Sequence, residues 1–281
     1  MTIPPIFGLV LAGGRSSRMH RDKAGLVYHG QSQLDRTMEL IKPLCSERFV
    51  SVRADQTKDP LRSRYAQIVD QDADLGPLAG ILAAQAHMPT AAWLIVACDL
   101  PRLDAATLQQ LITRRDPSRL ATAFKSSSDG LPEPLCALYE PASAPALAAY
   151  AAGGGRCPRK FLLKHDVALF ELASSHALDN VNSGAEYWQT MDQLTPDSSR
   201  QQRSVRVQYF AILREQSGLR EEQIDTIARN PGELYDELRA RHGFTLDRSA
   251  LRVAVNEEFG AWDQPLLSGD SIVFIPPVAG G

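Results

Sequence analysis

Long apolar runs are missing from this sequence, and its cysteines and histidines are few and scattered. No stretch approaches the length of a membrane-spanning helix, so we expect no membrane-embedded segment. The four cysteines form no C-x-x-C pair and the six histidines form no H-x-x-x-H arrangement, so we expect reduced packing cysteines and no zinc site. The first apolar stretch, residues 3–11, is too short for a signal peptide and no basic residue precedes it, so we expect a cytoplasmic protein.

A strong charge of either sign is also lacking. The chain carries 30 Lys and Arg against 33 Asp and Glu, a net charge of −3, which does not indicate a nucleic-acid-binding protein. The part from Arg203 onward has nine basic and twelve acidic residues, so the negative excess lies there. With 281 residues, 44% of them hydrophobic, the chain is long enough for two globular domains.

The most informative stretch is an apolar run, Ile6 to Leu11, that is followed by two glycines. The run predicts a buried strand, and Gly13 and Gly14 allow backbone N–H groups to approach an anion closely. Three cations follow: Arg15, Arg18 and Lys23. Because ligands of open α/β sheets bind at the carboxyl ends of strands, this order predicts a phosphate-binding loop. A basic surface turn is the alternative.

The spacing in this loop excludes two common phosphate-binding patterns. No Gly-Lys-Ser/Thr follows at the Walker distance, and no Gly-x-Gly-x-x-Gly opens a helix. The loop instead resembles the signature of nucleotidyltransferases, most closely the molybdenum cofactor guanylyltransferases of the MobA type. The matching residues are Leu11, Ala12, Gly13, Gly14, Arg18, Met19, Asp22 and Lys23. The resemblance implies that residues 11–15 and Lys23 bind the nucleotide and that Arg18 and Lys23 act in catalysis. His20 stands where this family usually has glycine.

Alternating strand and helix patterns predict a Rossmann-like domain with a mostly parallel sheet. Strands are predicted at 26–28, 49–52, 67–69, 93–97, 120–124 and 134–139, and helices at 33–44, 105–114 and 141–151. The strand 93–97 is nearly all apolar, as in a sheet buried on both faces, and Asp99 follows it. A carboxylate there is well placed to hold Mg²⁺, whereas Asp104 is expected to cap the next helix. The Cys-Asp-x-Pro string at 98–101 also resembles the family's metal-binding motif.

Residues 76–80 are expected to open a helix at the nucleotide site. Pro77 suits a first helical turn, and the flanking glycines let a ligand lie close to the helix start. The string Gly76, Pro77, Leu78, Ala79 and Gly80 matches a family segment that lines the guanine pocket. By the same resemblance Asp70 serves the nucleotide and substrate site. Helix–sheet packing by small residues and a solvated acidic turn are the alternatives.

Two later stretches are candidates for the acceptor side. Residues 153–160 are expected to form a flexible basic loop, and the resemblance makes Arg156, Arg159 and Lys160 candidates for binding an anionic pterin. Asn180 and Asn182 resemble the family's Asn-x-Asn motif and are site candidates. Asn182 or Ser183 could instead be the N-cap of a helix at 185–191.

A polar, proline-bearing segment, residues 194–203, predicts a linker to a second domain. Strands are predicted at 205–210, 251–256 and 271–275, and Asn230 is expected to cap a helix that runs to about His242. This pattern suggests a small ubiquitin-like β-grasp. Residues 205–210, 253–257 and 275–281 resemble the MoaD-type small subunit of molybdopterin synthase, a sulfur carrier. The resemblance implies that Gly281 is activated as an acyl-adenylate and becomes a thiocarboxylate; a frayed end is the alternative.

Together these patterns predict three segments: a nucleotidyltransferase domain at 1–193, a linker at 194–203 and a β-grasp sulfur carrier at 204–281. The two resemblances imply transfer of GMP from Mg-GTP to molybdopterin and delivery of sulfur to the pterin precursor. The implied partners are the large subunit of molybdopterin synthase and an adenylating, sulfur-loading enzyme, with molybdenum-insertion enzymes as further candidates. The alternatives are a CTP-dependent or sugar-phosphate nucleotidyltransferase, or a degenerate scaffold that tethers the carrier.

Overall fold

The structure, a computed structural model, describes residues 3–14, 19–174, 176–195 and 201–277. Residue contacts divide the chain into two compact units. The first comprises Met1–Arg15 and Lys23–Asn180, and the second comprises Ser16–Asp22 and Val181–Gly281. Within the described ranges, no helix is both long and apolar enough to cross a membrane.

The first unit is built on a mostly parallel sheet of seven strands, in the order β5-β4-β1-β6-β8-β7-β9. Its strands are β1 (Ile6–Leu11), β4 (Glu47–Val52), β5 (Gln67–Val69), β6 (Ala92–Ala97), β7 (Ala121–Lys125), β8 (Pro132–Tyr139) and β9 (Val167–Glu171). The strand β8 alone runs antiparallel to its neighbours β6 and β7 in this sheet. A short hairpin of β2 (Val27–Tyr28) and β3 (Gln31–Ser32) lies apart from it. The predicted Rossmann-like class is confirmed.

Helices cover both faces of this sheet. They are α1 (Gln33–Ile41), α2 (Pro77–His87), α3 (Ala105–Thr113), α4 (Ser143–Ala152) and α5 (Pro158–Lys164). All six residues of β6 are buried, because alternate side chains enter different cores: Val96 lies in one apolar cluster and Ile95 in the other. Asp104 caps α3 by accepting from the Thr107 amide at 2.7 Å, as the sequence predicts.

The expected flexible loop over residues 153–160 is wrong in its second half. Pro158 begins α5, because its fixed φ suits the first helical turn, so Arg159 and Lys160 are helical. The strand β9 was not expected from the sequence. It pairs with β7 at the edge of the sheet and is only partly buried, so it lacks the continuous apolar run of the inner strands.

The second unit contains a five-stranded sheet in the order β11-β10-β14-β12-β13. The elements of this unit are α6 (Gly184–Leu194), β10 (Arg203–Tyr209), α7 (Ala211–Ser217), β11 (Glu221–Thr226), α8 (Pro231–His242), β12 (Arg252–Val255), β13 (Glu258–Phe259) and β14 (Ser271–Ile275). The parallel pair β10 and β14 lies at the centre, and α8 packs its buried Tyr235 and Leu238 into the apolar core. Asn230 caps α8 as predicted, accepting from the Glu233 amide at 2.8 Å. This is the expected β-grasp arrangement.

One helix and one strand extend into the expected linker over residues 194–203. Helix α6 extends to Leu194 and β10 begins at Arg203, so both ends of that segment lie in regular structure. Helix α6 belongs to the second unit, where the Trp188 indole N–H donates to the Arg229 carbonyl at 2.7 Å. Ser183 caps α6 and accepts from the Glu186 amide at 3.2 Å, which confirms the cap expected there.

Candidate active site

The parallel strands of the first unit bring several predicted residues to one edge of the sheet. Strands β1, β4, β5 and β6 run in one direction, and β7 and β9 share it because β6 and β7 both run antiparallel to β8. Their carboxyl ends therefore meet at the same edge, where α/β proteins bind ligands. Gly13 follows β1, Asp70 follows β5, Asp99 follows β6 and Ser126 follows β7.

Lys23 and Asp99 form an ion pair at this edge. The Lys23 Nζ lies 3.1 Å from the Asp99 Oδ2, with side chains 18% and 23% exposed. Both groups are thus accessible to a ligand, and each is partly shielded from solvent, where electrostatic interactions are stronger than in bulk water. The pair joins the end of the glycine loop to the end of the central strand.

Arginine side chains hold the carbonyls of the glycine loop. The buried Arg62 donates to the Ala12 carbonyl through Nε at 3.1 Å and through Nη2 at 2.7 Å. Arg53 donates through Nη1 to the next carbonyl, that of Gly13. Leu11 is the last residue of β1, and its carbonyl accepts from the Cys98 amide at 3.2 Å.

The two loop glycines have different surroundings. A Cβ on Gly13 would lie 3.3 Å from the Asp70 Oδ2, so a side chain there would crowd that carboxylate. A Cβ on Gly14 would meet no atom of the described residues within 4 Å, and this residue is exposed. Gly14 is therefore the more accessible of the two to an anion.

Asp70 is half-buried against the loop. Burial raises the pKa of its carboxyl, while the Ser51 hydroxyl, which donates to Oδ1 at 2.6 Å, and the nearby Arg53 act in the opposite direction. Asp70 thus lies between the glycine loop and β4, beside the predicted nucleotide site.

The start of α2 accounts for the Gly-Pro-Leu-Ala-Gly string. Gly76 has a φ of +57° and a ψ of −136°, a conformation that favours glycine, and Pro77 is the first helical residue. Both are exposed, whereas Leu78, Ala79 and Gly80 are buried. A Cβ on Gly80 would lie 2.6 Å from the Ser51 Oγ and 2.7 Å from the Leu11 Cδ2, so close helix–sheet packing explains this glycine. Its role as a guanine contact stays a prediction.

Comparison with known proteins shows to which family this chain belongs. Residues 8–168 match the family described as MobA-like NTP transferase domain. The chain belongs to this family. Residues 207–281 match a second family, described as the ThiS family.

Several proteins are similar to this member of the MobA-like family. The molybdenum cofactor biosynthesis bifunctional protein of Synechocystis sp. is 33% identical over 185 residues, 66% of this chain and 53% of that protein, so the match spans about half of that relative. The molybdenum cofactor guanylyltransferase of Xanthomonas euvesicatoria pv. vesicatoria is 32% identical over 198 residues, 69% of this chain and 97% of that protein. The crystal structure of molybdopterin-guanine dinucleotide biosynthesis protein A from Archaeoglobus fulgidus shares the fold, with a TM-score of 0.56 at 23% identity, covering 66% of this chain and 97% of that one.

A cavity of about 220 Å³ lies at the same edge of this MobA-like domain, beside β7 and β9. Its lining residues are Ser126, Ser127, Ser128, Glu133, Arg159, Leu172, Leu178, Asp179 and Asn180. Asp179 connects it to the segment that follows Asp99, because Arg102 Nη1 lies 3.9 Å from the Asp179 Oδ2. The predicted site residues Arg159 and Asn180 therefore share one cavity.

The basic acceptor candidates are engaged in contacts within the first unit. Arg159 forms ion pairs with Asp129 and Glu133, both at 3.0 Å. Arg156 donates to the Asp74 carbonyl at 3.0 Å, and Lys160 is exposed on α5. The charged groups that line the cavity are thus two carboxylates, those of Glu133 and Asp179, and one guanidinium, that of Arg159.

Asn182 belongs to the second unit, where its backbone N–H donates to the Glu186 Oε2 at 2.6 Å. Three predicted residues, Arg15, Arg18 and Gly281, lie outside the described residues. Their assigned roles stay predictions.

The sequence alone did not indicate the site residues whose partners are far away along the chain. Arg62 contacts a carbonyl 50 positions earlier in the chain, and nothing in its local sequence indicates this. Glu133 had a recognisable signal, because a carboxylate between Pro132 and Pro134 interrupts an otherwise apolar strand.

Proposed function

We propose that the MobA-like domain transfers GMP from GTP to molybdopterin and releases pyrophosphate. The observation that carries this proposal is the Lys23–Asp99 pair, which lies at the same sheet edge as the glycine loop. Membership of the family and the similarity to molybdenum cofactor guanylyltransferases support it.

The reaction needs no protein nucleophile. A phosphate oxygen of the acceptor attacks the α-phosphorus of GTP, a new P–O bond forms, and the bond between that phosphorus and the α,β-bridging oxygen breaks. Pyrophosphate leaves with the electron pair. The Lys23 ammonium and the loop amides stabilise the negative charge that develops on these oxygens, which is the main demand of such transfers.

The residues present fit a magnesium ion carried in with the nucleotide. The site beside Asp99 already accommodates a cation, the Lys23 ammonium at 3.1 Å. Within the described ranges, no cluster of three or more His, Cys, Asp or Glu could hold a metal ion, whereas Mg²⁺ commonly uses one or two carboxylates together with substrate phosphates. Asp99 would hold the ion, which would supply charge neutralisation at the phosphates.

Binding of the four nucleotides with Mg²⁺ tests the nucleotide half of the proposal. We expect GTP to raise the melting temperature more than ATP, CTP or UTP, because a ligand of the native state stabilises it. Lys23→Ala should lose this shift. Lys125→Ala is the matched control, because Lys125 also pairs with a carboxylate, Glu171 at 2.8 Å, yet belongs to an exposed pair.

The pattern of shifts also separates the alternatives. A CTP-selective shift would favour the CTP-dependent enzyme. If no nucleotide shifts the melting temperature, the proposed nucleotidyltransferase activity is contradicted, and a scaffold that tethers the sulfur carrier is the alternative that remains. With GTP selectivity established, pyrophosphate release that depends on molybdopterin is the decisive assay, and release that depends instead on a sugar phosphate would contradict the acceptor.

We infer that the cavity beside β7 and β9 receives the pterin of the acceptor. A pterin presents an amino group and a ring N–H side by side, and a carboxylate such as that of Glu133 can accept both hydrogen bonds. Arg159 donates to the Glu133 Oε2 at 3.0 Å and so fixes the carboxylate in place.

Pterin fluorescence gives a direct test. Neopterin should bind more tightly than the corresponding lumazine, which has a carbonyl in place of the amino group, and Glu133→Gln should remove this preference. Asp129→Asn is the matched control, because Asp129 also pairs with Arg159 at 3.0 Å but does not line the cavity. Equal binding of the two compounds by the wild type would contradict this assignment.

We further propose that residues 204–281 form a sulfur carrier in molybdopterin synthesis. The match to the ThiS family over 207–281 and the β-grasp sheet support this second function. A loading enzyme would adenylate the Gly281 carboxylate with ATP and release pyrophosphate, and hydrosulfide from a sulfur donor would then attack the acyl carbon and displace AMP to leave a thiocarboxylate. The expected partners are that loading enzyme and the large subunit of the synthase. The acidic excess of this part of the chain would suit a basic partner surface.

A further inference from the structure

Two successive carbonyls of the glycine loop are turned toward arginines. Arg62 is 1% exposed and donates two hydrogen bonds to the Ala12 carbonyl, and Arg53 donates to the Gly13 carbonyl. The described residues contain no cis peptide bond. In a trans peptide the C=O and the N–H point in opposite directions. The N–H of Gly13 therefore points away from Arg62, and the N–H of Gly14 points away from Arg53.

Gly14 is exposed, and among the described residues no atom would lie within 4 Å of a Cβ placed on it, so a ligand can approach this residue. Successive backbone N–H groups that face one concavity form an anion-binding nest. The two guanidinium groups lie behind the loop, so they add positive potential to the same site.

Burial of the Arg62 guanidinium costs free energy, and its hydrogen-bond partners indicate its role. A guanidinium out of water is stable only when it is paired and hydrogen-bonded. Its Nη1 lies 3.1 Å from the Asp59 Oδ1, and its Nε and Nη2 both donate to the Ala12 carbonyl. An apolar side chain could fill this volume but could not orient a peptide group.

We propose that Arg62 and Arg53 are positioning residues that turn the amides of Gly13 and Gly14 toward the phosphates of the bound nucleotide. Neither side chain needs to touch the nucleotide. The inference rests on the proposed function for the identity of the anion, a nucleoside triphosphate.

Arg62→Lys tests the inference, because lysine keeps the charge and cannot hold one carbonyl through two N–H groups. We expect the Kd for GTP to rise about tenfold, consistent with the loss of charge-assisted hydrogen bonds. The Kd for inorganic tripolyphosphate should rise by a similar factor, whereas the Kd for guanosine should change little. A merely structural effect would weaken the binding of all three probes.

Arg115→Lys is the matched control for a buried arginine in the same unit. Arg115 is 8% exposed, pairs with Glu140 and donates to the Pro4 carbonyl at 2.9 Å. This variant should lower the melting temperature without changing the Kd for GTP. If Arg62→Lys does not fold, Arg53→Met supplies the test, because Arg53 is partly exposed and holds the Gly13 carbonyl through a single N–H group, which lysine could replace and methionine cannot.

The outcomes separate this inference from the proposed function. Wild-type protein that binds none of the four nucleotides contradicts the proposed function. Wild-type protein that binds GTP, together with unchanged affinity for GTP and tripolyphosphate in both arginine variants, overturns the inference alone.

Discussion

His20 has a φ of +48°, in the left-handed region where a side chain crowds the backbone and glycine is favoured. This geometry explains why glycine is usual at this position in the family, and it makes histidine a strained substitute. His20→Gly should relieve strain of about 1–2 kcal/mol, reduced by about 0.5–1 kcal/mol for the greater freedom of glycine in the unfolded chain. The net gain is at most about 1.5 kcal/mol, so we expect the melting temperature to rise by at most about 6 °C, as measured by calorimetry.

His29→Gly is the control for this change, because His29 has a φ of +53° in the turn between β2 and β3. It should give a smaller rise, because the His29 Nε2 lies 3.3 Å from the Pro101 carbonyl oxygen and glycine loses this contact. A lower melting temperature in His20→Gly would show that the histidine side chain makes a stabilising contact that outweighs its strain.

Asp70 makes the stability of the first unit depend on pH. Burial raises the pKa of its carboxyl, so the native state binds this proton more tightly than the unfolded chain does. The stabilisation of the native state by this bound proton is present at low pH, and it is lost as pH rises through the native pKa of Asp70. Asp70→Asn lacks this loss, so its melting temperature, measured without nucleotide, should rise relative to that of the wild type between about pH 4 and pH 7.

Asp35→Asn should show the opposite trend. Burial acts to raise the pKa of Asp35, but hydrogen bonds from Tyr65, Ser32 and Arg64 hold it below its usual value. The wild type should therefore gain stability over this variant as pH rises. If the melting temperatures of both variants changed in the same direction relative to the wild type as pH rises, the raised pKa of the Asp70 carboxyl would be contradicted.

Single residues were predictable where their partners are close in sequence. Asp104 and Asn230 cap the helices that follow them within three residues, so local spacing was sufficient. Arg62 and Glu133 depend on partners that only the folded sheet brings near. The sequence was thus sufficient to predict the glycine loop and the carboxylates at the strand ends. It was not sufficient to predict the side chains that contact this loop or line the cavity.

At the scale of elements, apolar periodicity predicted the inner strands well, because burial on both faces leaves a continuous apolar run, as in β6. It failed at the edge of the sheet, where β9 is only partly buried. It also failed for α5, because the glycines before Pro158 resemble a loop and the helix has only seven residues.

The start of α6 makes a close contact within the second unit that glycine alone permits. A Cβ on Gly184 would lie 2.2 Å from the Asp263 carbonyl oxygen. Gly184→Ala should therefore force a backbone shift and destabilise this unit by about 1–3 kcal/mol, measured by calorimetry. Gly153→Ala is the control, because its Cβ would come no closer than 3.4 Å to a neighbouring atom. Equal stability of the two variants would contradict this account of the contact.

At the scale of the whole molecule, composition and linker-like sequence predict a domain at 1–193, a linker at 194–203 and a domain at 204–281, and these boundaries stay predictions. Residue contacts group α6 with the second compact unit. The indole of Trp188 packs against Arg203, with 4.1 Å between the guanidinium carbon and the ring centroid, and the helix end pairs through Asp192 with Arg229 at 2.8 Å. Such contacts join residues far apart in the chain, so periodicity cannot assign α6 to either part.

The last prediction concerns both proposed functions, because one change to the chain should abolish sulfur loading and leave nucleotide binding intact. Residues appended after Gly281 would place an amide bond where the proposed sulfur carrier requires a carboxylate, and an amide cannot be adenylated. We expect such a chain to form no thiocarboxylate in the presence of the loading enzyme, ATP and a sulfur donor, while its GTP-induced thermal shift stays at the wild-type value. Intact-protein mass spectrometry would detect the exchange of one oxygen for sulfur in the wild type. The same residues placed before Met1 provide the control. Undiminished sulfur delivery by the extended chain would exclude Gly281 as the carrier of sulfur.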